Sequence, residues 1–206
     1  MSVTSRTWVV DFDGTLINLD LGAEFSQWIF ARRKTTHLAR FVKYFGAPMN
    51  RVFRLLDRGQ VVRAWSTGLD QERIQTLVNE FLDEFDSRIF LNDSVMTLIK
   101  SEEATRKILL TGCPQELVEA FLTRRGVNTF DEVIGMTTRW GFLITRHPFG
   151  RSKVPIARRY GPFLAIGDSW SDRFVLDAAA KSYVVLRSPK LRVHMERKSW
   201  QDVPAN

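Results

Sequence analysis

The chain has 206 residues, an ordinary hydrophobic share of 44% and a formal net charge of +7. This length suffices for one hydrophobic core with a modest inserted subdomain, and no apolar run is long enough to span a bilayer. The single cysteine, Cys113, excludes an internal disulfide framework, and no basic-then-apolar leader precedes the first apolar run. We therefore predict a cytoplasmic protein whose positive charge favours anionic partners.

The first predicted element is a buried strand, Trp8-Val9-Val10, followed at once by Asp11-Phe12-Asp13-Gly14-Thr15-Leu16. Alternate residues of a strand point to the same side, so Asp11 and Asp13 are expected to face one site at its carboxyl end. Two carboxylates there can divide the labour of phosphoryl transfer, because one attacks phosphorus and the other handles the leaving group's proton. Gly14 permits an unusual turn, and we expect its backbone N–H to approach a phosphate oxygen.

A helical and strongly basic segment follows the first strand. Apolar residues recur at helical spacing through 25–45, 50–65 and 74–85, which predicts a small helical bundle. Residues 31–65 contain nine Arg or Lys and one acid, a net charge of +8, so most of the chain's positive charge lies there. This segment is either a solvated basic face or a surface for an anionic headgroup or membrane, since interleaved Arg and Trp favour the lipid interface. Nucleic-acid binding is disfavoured, because no recognition motif accompanies the charge.

From about residue 92, short apolar strands alternate with helices. Strands are predicted at 107–111, 132–134, 163–166 and 183–186, a hairpin at 138–145, and helices at 95–100, 117–122, 154–160 and 171–180. The alternation predicts an α/β fold, a doubly wound, Rossmann-like core with a parallel sheet covered on both faces. Residues 1–16 and 91–206 would form this core, and 17–90 an inserted α-helical cap. The polar, basic end from Pro189 is expected to be a loosely held tail.

Three strands of this predicted core end in polar residues that suit phosphate chemistry. The carboxyl ends of parallel strands meet at one edge, so the acids of the first strand should lie beside Thr111-Gly112 and beside residues 167–172, G-D-S-W-S-D. Thr111 offers a hydroxyl, and Gly112 a backbone N–H, to phosphoryl oxygens. We therefore expect a phosphate-binding site at this edge.

The acids at this edge also predict a magnesium site. A carboxylate that attacks a phosphate dianion needs a divalent cation, and Mg²⁺ prefers oxygen ligands. We expect Asp11, the backbone carbonyl of Asp13 and Asp168 to bind Mg²⁺, with Asp172 binding it directly or through water. Lys153 offers a compact positive charge that neutralises the transition state and keeps Asp11 ionised.

On these residues the chain resembles the haloacid dehalogenase-like superfamily, and its phosphatase branch in particular. The four family motifs occur in order: D-F-D-G-T-L at 11–16, L-L-T-G at 109–112, Lys153 before a helix, and G-D-S-W-S-D at 167–172. The predicted helical insertion and the hairpin ahead of Lys153 resemble those of the subgroup that contains phosphoserine phosphatase. The phrase L-T-G-C-P-Q at 110–115 and the basic aromatic cap look closer still to bacterial phosphatidylglycerophosphate phosphatases.

The resemblance implies a Mg²⁺-dependent phosphomonoester hydrolase in which Asp11 forms an aspartyl phosphate and Asp13 is the general acid and base. True dehalogenases lack an acid at the position of Asp13, because a halide leaving group needs no proton. Asp20 falls where the phosphoserine enzymes place an acidic substrate contact, although Asp is shorter than their Glu. Thr111 stands where many relatives have serine and keeps the hydroxyl.

The implied substrate is a small phosphorylated metabolite or a phospholipid headgroup. Because the predicted cap joins aromatic residues to cations such as Arg32, Arg33 and Lys34, phosphatidylglycerophosphate-like lipids rank just ahead of phosphoserine, with peripheral contact to an anionic membrane. Two other functions stay open. One is a phosphotransferase with an acceptor other than water, and the other is a basic membrane- or nucleic-acid-binding module on an inactive phosphatase fold.

Overall fold

The computed structural model describes residues 7–32, 71–101, 106–139, 143–185 and 189–205. Within these residues, seven strands form one sheet in the order β4-β3-β2-β1-β5-β6-β7. All neighbours are parallel except the edge pair β3 and β4. The strands are β1 (Thr7–Val10), β2 (Arg106–Pro114), β3 (Glu132–Arg139), β4 (Leu143–Arg146), β5 (Phe163–Gly167), β6 (Lys181–Val185) and β7 (Gln201–Val203).

Helices cover both faces of the sheet. They are α1 (Leu21–Arg32), α2 (Gln71–Phe85), α3 (Asp93–Ser101), α4 (Gln115–Arg124), α5 (Lys153–Arg158), α6 (Arg173–Ala178) and α7 (Pro189–Lys198). Shorter helical turns occur at Phe12–Leu16, Asp86–Arg88 and Gly150–Ser152. The prediction of a Rossmann-like α/β fold is therefore confirmed.

Strand β1 shows how the sequence produces the two faces. Its side chains alternate, so Trp8 and Val10 join one hydrophobic cluster while Val9 joins the other. The first cluster packs α1 to α4 on the sheet, and the second packs α5 to α7 on the opposite face. The strand itself lies at the centre, where Val10 pairs with Leu109 of β2 on one side and with Ile166 of β5 on the other. Chain order reverses around β1, and such a switch point is where open α/β sheets place their sites.

The described helices of the insertion, α1 and α2, pack directly on the core. Phe81 of α2 lies 5.2 Å from Phe25 and 5.7 Å from Trp28 of α1, measured between ring centroids. These aromatic residues belong to the same hydrophobic cluster as Phe121 of α4. Within the described part of the insertion, α1 and α2 therefore share the hydrophobic core of the sheet.

Residues 33–70 lie outside the described residues, and they include most of the predicted basic segment 31–65, with Arg33 and Lys34, and the predicted helix at 50–65. The division into core and cap therefore stays a prediction. Arg32 is described: its guanidinium forms an ion pair with Glu84 and lies 4.6 Å from the centroid of the Trp28 ring. This arginine fastens α1 to α2. Among the helices of the described residues, none combines the length and hydrophobicity that crossing a bilayer requires.

The prediction of a loosely held tail after residue 189 is wrong. Helix α7 fully buries Leu191, and β7 pairs in parallel with β6 and buries Val203. The error has a physical cause, because the helix is mostly charged and the strand contributes one buried side chain, so neither shows a clear apolar period. The predicted short strand at 132–134 is also longer than expected. It continues through Arg139 as β3 and pairs with β4 as the predicted hairpin.

Candidate active site

Strand β1 delivers Asp11 to the carboxyl edge of the sheet. The Asp11 N–H still donates to the carbonyl of Ile166 on β5, at 3.0 Å, and the chain then turns through Phe12–Leu16. Gly14 has a φ of +74° in this turn, and a Cβ placed on it would lie 2.1 Å from Oδ2 of Asp168. Glycine is therefore required at this position for two reasons: the backbone conformation is unfavourable for other residues, and the Asp168 carboxylate approaches too closely for a side chain.

A buried lysine joins two buried acids at this edge. Nζ of Lys153, the first residue of α5, donates to Oδ1 of Asp11 at 2.5 Å and to Oδ1 of Asp172 at 2.7 Å. The side chains of all three residues are at least nine-tenths buried. Such charges are tolerated in a protein interior only when they are paired and hydrogen-bonded, as they are here.

Burial and neighbouring charges shift the ionisation of this cluster. Burial, and next the charge of Asp172, raise the pKa of Asp11 to about 6, although Lys153 acts in the opposite direction. Burial alone would lower the pKa of Lys153, but the charges of Asp11 and Asp172 outweigh it and raise that pKa above its ordinary value. Lys153 is therefore a fixed cation, while Asp11 carries incompletely compensated negative charge.

The acids at this edge suit a divalent cation. One carboxylate oxygen from each of Asp11, Asp168 and Asp172 lies within 4.8 Å of the others. Three carboxylates against one lysine leave negative charge in excess, which agrees with the raised pKa of Asp11, and carboxylate oxygens are the ligands that Mg²⁺ prefers. The residues present therefore fit a Mg²⁺ site. Participation of the Asp13 carbonyl stays a prediction.

Asp13 contacts the start of α1 and lies near Thr111 of β2. Its Oδ1 accepts a hydrogen bond from the backbone N–H of Leu21 at 2.8 Å, and its Oδ2 lies 3.5 Å from the hydroxyl oxygen of Thr111. The pairing of β2 with β3 is interrupted between Leu110 and Pro114. Thr111 and Gly112 therefore leave the regular ladder beside the acids. The structure brings Asp13 and Thr111 together as the sequence predicted.

Two predicted contacts have other partners in the structure. The Gly14 N–H, expected to approach a phosphate, donates to the carbonyl of Leu19 at 3.1 Å. Asp20 is exposed at the start of α1, where its Oδ1 accepts the N–H of Ala23 at 2.8 Å. Asp20 is thus a helix N-cap. A phosphate contact by Gly14 and a substrate contact by Asp20 both stay predictions.

Two hydroxyl groups complete the cluster, and sequence reasoning gave neither a role. Thr15 Oγ1 donates to Oδ2 of Asp11 at 3.0 Å and lies 3.4 Å from Oδ1 of Asp168. Ser169 offers its backbone N–H and its hydroxyl to Oδ2 of Asp172, at 3.2 and 2.5 Å. Both oxygens of Asp172 therefore have donors. Their positions in the sequence could have indicated a role, because Thr15 lies within the motif at 11–16 and Ser169 within the motif at 167–172.

Residues 8–177 match the profile of a protein family described as haloacid dehalogenase-like hydrolase, and the chain belongs to that family. The prediction of a hydrolase is therefore confirmed. The sequence has no significant match among curated proteins.

Solved structures show the same fold at low sequence identity. A protein of unknown function from Bordetella pertussis Tohama I is 18% identical with a TM-score of 0.72, over 97% of this chain and 99% of that one. A phosphoserine phosphatase captured as a phospho-aspartyl intermediate analogue is 14% identical with a TM-score of 0.57, over 92% and 90% of the two chains. Phosphoserine phosphatase from T. onnurineus is 18% identical with a TM-score of 0.54, over 91% and 88%.

Proposed function

We propose that this hydrolase is a Mg²⁺-dependent phosphomonoesterase that works through an aspartyl phosphate on Asp11. The observation that carries the proposal is the Lys153 ammonium held between Asp11 and Asp172, at the sheet edge where Asp168 and Asp13 also lie. Membership of the hydrolase family and the structural similarity to phosphoserine phosphatases support a phosphatase.

In the first step, a carboxylate oxygen of Asp11 attacks phosphorus, and the bond between phosphorus and the leaving oxygen breaks. Asp13 donates its proton to that oxygen, so the alcohol leaves neutral. Lys153 keeps Asp11 ionised and offsets the negative charge that gathers near the nucleophile. Asp11 and Asp168, with Asp172 beside them, would hold Mg²⁺, which when bound reduces the repulsion between the carboxylates and the phosphate dianion.

In the second step, Asp13 accepts a proton from a water molecule as that water attacks phosphorus of the aspartyl phosphate. The bond between phosphorus and Asp11 breaks, which releases inorganic phosphate and restores the free carboxylate. The hydroxyl of Thr111 and the N–H of Gly112 hold the phosphoryl oxygens through both steps.

For the substrate we propose a small phosphorylated metabolite, which the fold shared with phosphoserine phosphatases supports. A lipid headgroup remains the alternative, and it rests on the basic segment that lies mostly outside the described residues. Of the three adjacent cations Arg32, Arg33 and Lys34, only Arg32 lies within the described residues, and it is already paired with Glu84. Transfer to an acceptor other than water would use the same first step and differ in the second.

The first prediction tests this chemistry through Asp11. In Mg²⁺, the wild type should release inorganic phosphate from at least one member of a panel of phosphoserine, glycerol phosphate, p-nitrophenyl phosphate and phosphatidylglycerophosphate. Asp11→Asn should abolish both turnover and covalent labelling by radioactive phosphate, because the nucleophile is lost. Asp202→Asn, an exposed acid on edge strand β7, is the matched control and should keep wild-type activity.

The same assay tests the metal. A chelator should remove activity and Mg²⁺ should restore it, whereas Ca²⁺ should not, because its longer and looser coordination misplaces the nucleophile. Near-normal hydrolysis by Asp11→Asn, or full activity in chelator, would contradict the proposed function. Label that passes to an added alcohol in preference to water would identify a phosphotransferase.

A further inference from the structure

The acid–base carboxylate of Asp13 is fastened to the first helix of the insertion. Its Oδ1 accepts the backbone N–H of Leu21 at 2.8 Å. Leu21 is the first residue of α1, and the first N–H groups of a helix have no acceptor within it. This donor is therefore available to a side chain outside the helix, and Asp13 uses it.

The surroundings fix the position of this donor. Asp20 caps the helix, because its Oδ1 accepts the Ala23 N–H at 2.8 Å and its carbonyl accepts the Glu24 N–H at 3.1 Å. The Leu21 side chain is fully buried in the hydrophobic cluster that also contains Phe25 and Phe81. The start of α1 is thus held by packing, and its N–H is directed at one oxygen of the catalytic turn.

The hydrogen bond distinguishes the two oxygens of Asp13. Oδ1 faces an N–H, which can only donate, whereas Oδ2 faces the Thr111 hydroxyl, which can donate or accept. A proton that Asp13 carries as an acid therefore belongs on Oδ2. Oδ2 is the oxygen on the side of Thr111, 3.5 Å from its hydroxyl oxygen, in the segment proposed to hold the phosphoryl group. The donor therefore presents the proton-carrying oxygen toward the reacting phosphate.

We infer that the backbone N–H of Leu21 is a positioning group for Asp13, and that it makes proton transfer depend on the placement of α1. The inference rests on the proposed function, in which Asp13 is the general acid and base. It predicts a specific dependence on the leaving group. An alkyl leaving group needs the proton of Asp13, whereas p-nitrophenolate is stable without one, so loss of positioning should slow alkyl esters much more than aryl esters.

Leu21→Pro removes the donor at a position where proline is well tolerated, because the first residue of a helix needs no internal N–H bond. Leu21→Ala is the matched control, since it also removes the buried side chain but keeps the N–H. The measurement is kcat/KM for glycerol phosphate and for p-nitrophenyl phosphate. Leu21→Pro should lower the ratio of the alkyl to the aryl value by about ten-fold or more, and Leu21→Ala should leave the ratio unchanged.

A folded Leu21→Pro protein with the wild-type ratio would overturn the inference, as would an equal fall of the ratio in Leu21→Ala. If Leu21→Pro does not fold, replacement of the Leu21 amide by an ester, with the α-hydroxy analogue of leucine at position 21, provides a second route, because it removes the N–H and keeps the side chain. The ester variant should lower the ratio in the same way. A wild-type ratio in the ester variant would also overturn the inference. A wild type that releases no phosphate from either ester would instead contradict the proposed function itself.

Discussion

At the scale of single residues, the buried negative charge of Asp11 suits its proposed role as nucleophile but lowers the stability of the folded protein. Its carboxylate is buried, faces Asp172 and is only partly compensated by Lys153, so its pKa is raised to about 6. A group whose pKa is higher in the folded protein than in the unfolded chain favours folding when protonated, and this contribution is lost as pH rises through the folded value. Ionised Asp11 therefore destabilises the metal-free protein at neutral pH.

This gives a prediction for Asp11→Asn. In chelator, the variant should be more stable than the wild type at neutral pH, because it removes the buried negative charge that raises the pKa of Asp11. The difference should shrink between pH 6 and pH 4 and vanish below, where Asp11 is protonated in both states. Urea denaturation across this pH range provides the measurement, with Asp202→Asn as control. A less stable Asp11→Asn at pH 7 would show that the lysine fully compensates the charge.

Whether a group of the site could be predicted from the sequence depends on whether it is a side chain of recognisable chemistry or a backbone atom. The sequence predicts four site residues because each has a chemical type that phosphoryl transfer needs and a place at a strand end or before a helix: Asp11, Asp13, Lys153 and Asp168. The Leu21 N–H could not be identified, because a backbone donor carries no residue type. Its role depends on where α1 begins, and sequence patterns locate helix ends poorly.

At the scale of elements, α7 is a structural part of the second hydrophobic cluster, and Val203 of β7 belongs to the first. Leu191 of α7 belongs to the same hydrophobic cluster as Val184 of β6 and Leu176 of α6. The strands and helices with strong apolar periods were predicted near their observed positions. The terminal helix and strand were missed, because pairing with β6 and the burial of single side chains such as Leu191 stabilise them, and local preference does not.

A pair of substitutions in α7 tests this assignment. Leu191→Ala should lower the free energy of unfolding by about 2–4 kcal/mol, because it leaves a cavity under the helix. Val193→Ala, two residues away on the same helix and 52% exposed, should change it by less than about 0.5 kcal/mol. Urea midpoints measure both. Equal, negligible effects would mean that α7 is not packed on the sheet in solution.

At the scale of the whole molecule, α1 and α2 of the predicted insertion share one hydrophobic cluster with the sheet. Phe81 contacts the aromatic residues of α1, and α2 is also joined to α4 by ion pairing of Arg124 with Asp83. The described helices of the insertion should therefore unfold together with the sheet. Sequence periodicity predicted their existence, but which cluster they join depends on contacts between distant parts of the chain.

Amide hydrogen exchange in Phe81→Ala tests this cooperativity. Loss of the ring should lower stability by about 3–5 kcal/mol, and protection should fall by the same amount in α1 and in β1. Phe90→Ala is the control, because that side chain is 61% exposed and should affect neither element. If protection fell in α1 alone, the insertion would be an independent unit and the shared cluster would not couple it to the sheet.

The central position of β1 has a consequence for synthesis of the protein. During synthesis Asp11 emerges before both of its charged neighbours, because Lys153 follows it by 142 residues and Asp172 follows Lys153 by another 19. At about 5–20 residues per second, the apolar strand Trp8-Val9-Val10 waits several seconds for neighbours that are all distant in sequence. The Lys153 ammonium can pair with both acids only after the chain has been made as far as Asp172. A nascent chain that ends before Asp172 therefore lacks part of the acid cluster, and its first strand stays unpaired until β2 and β5 have been made.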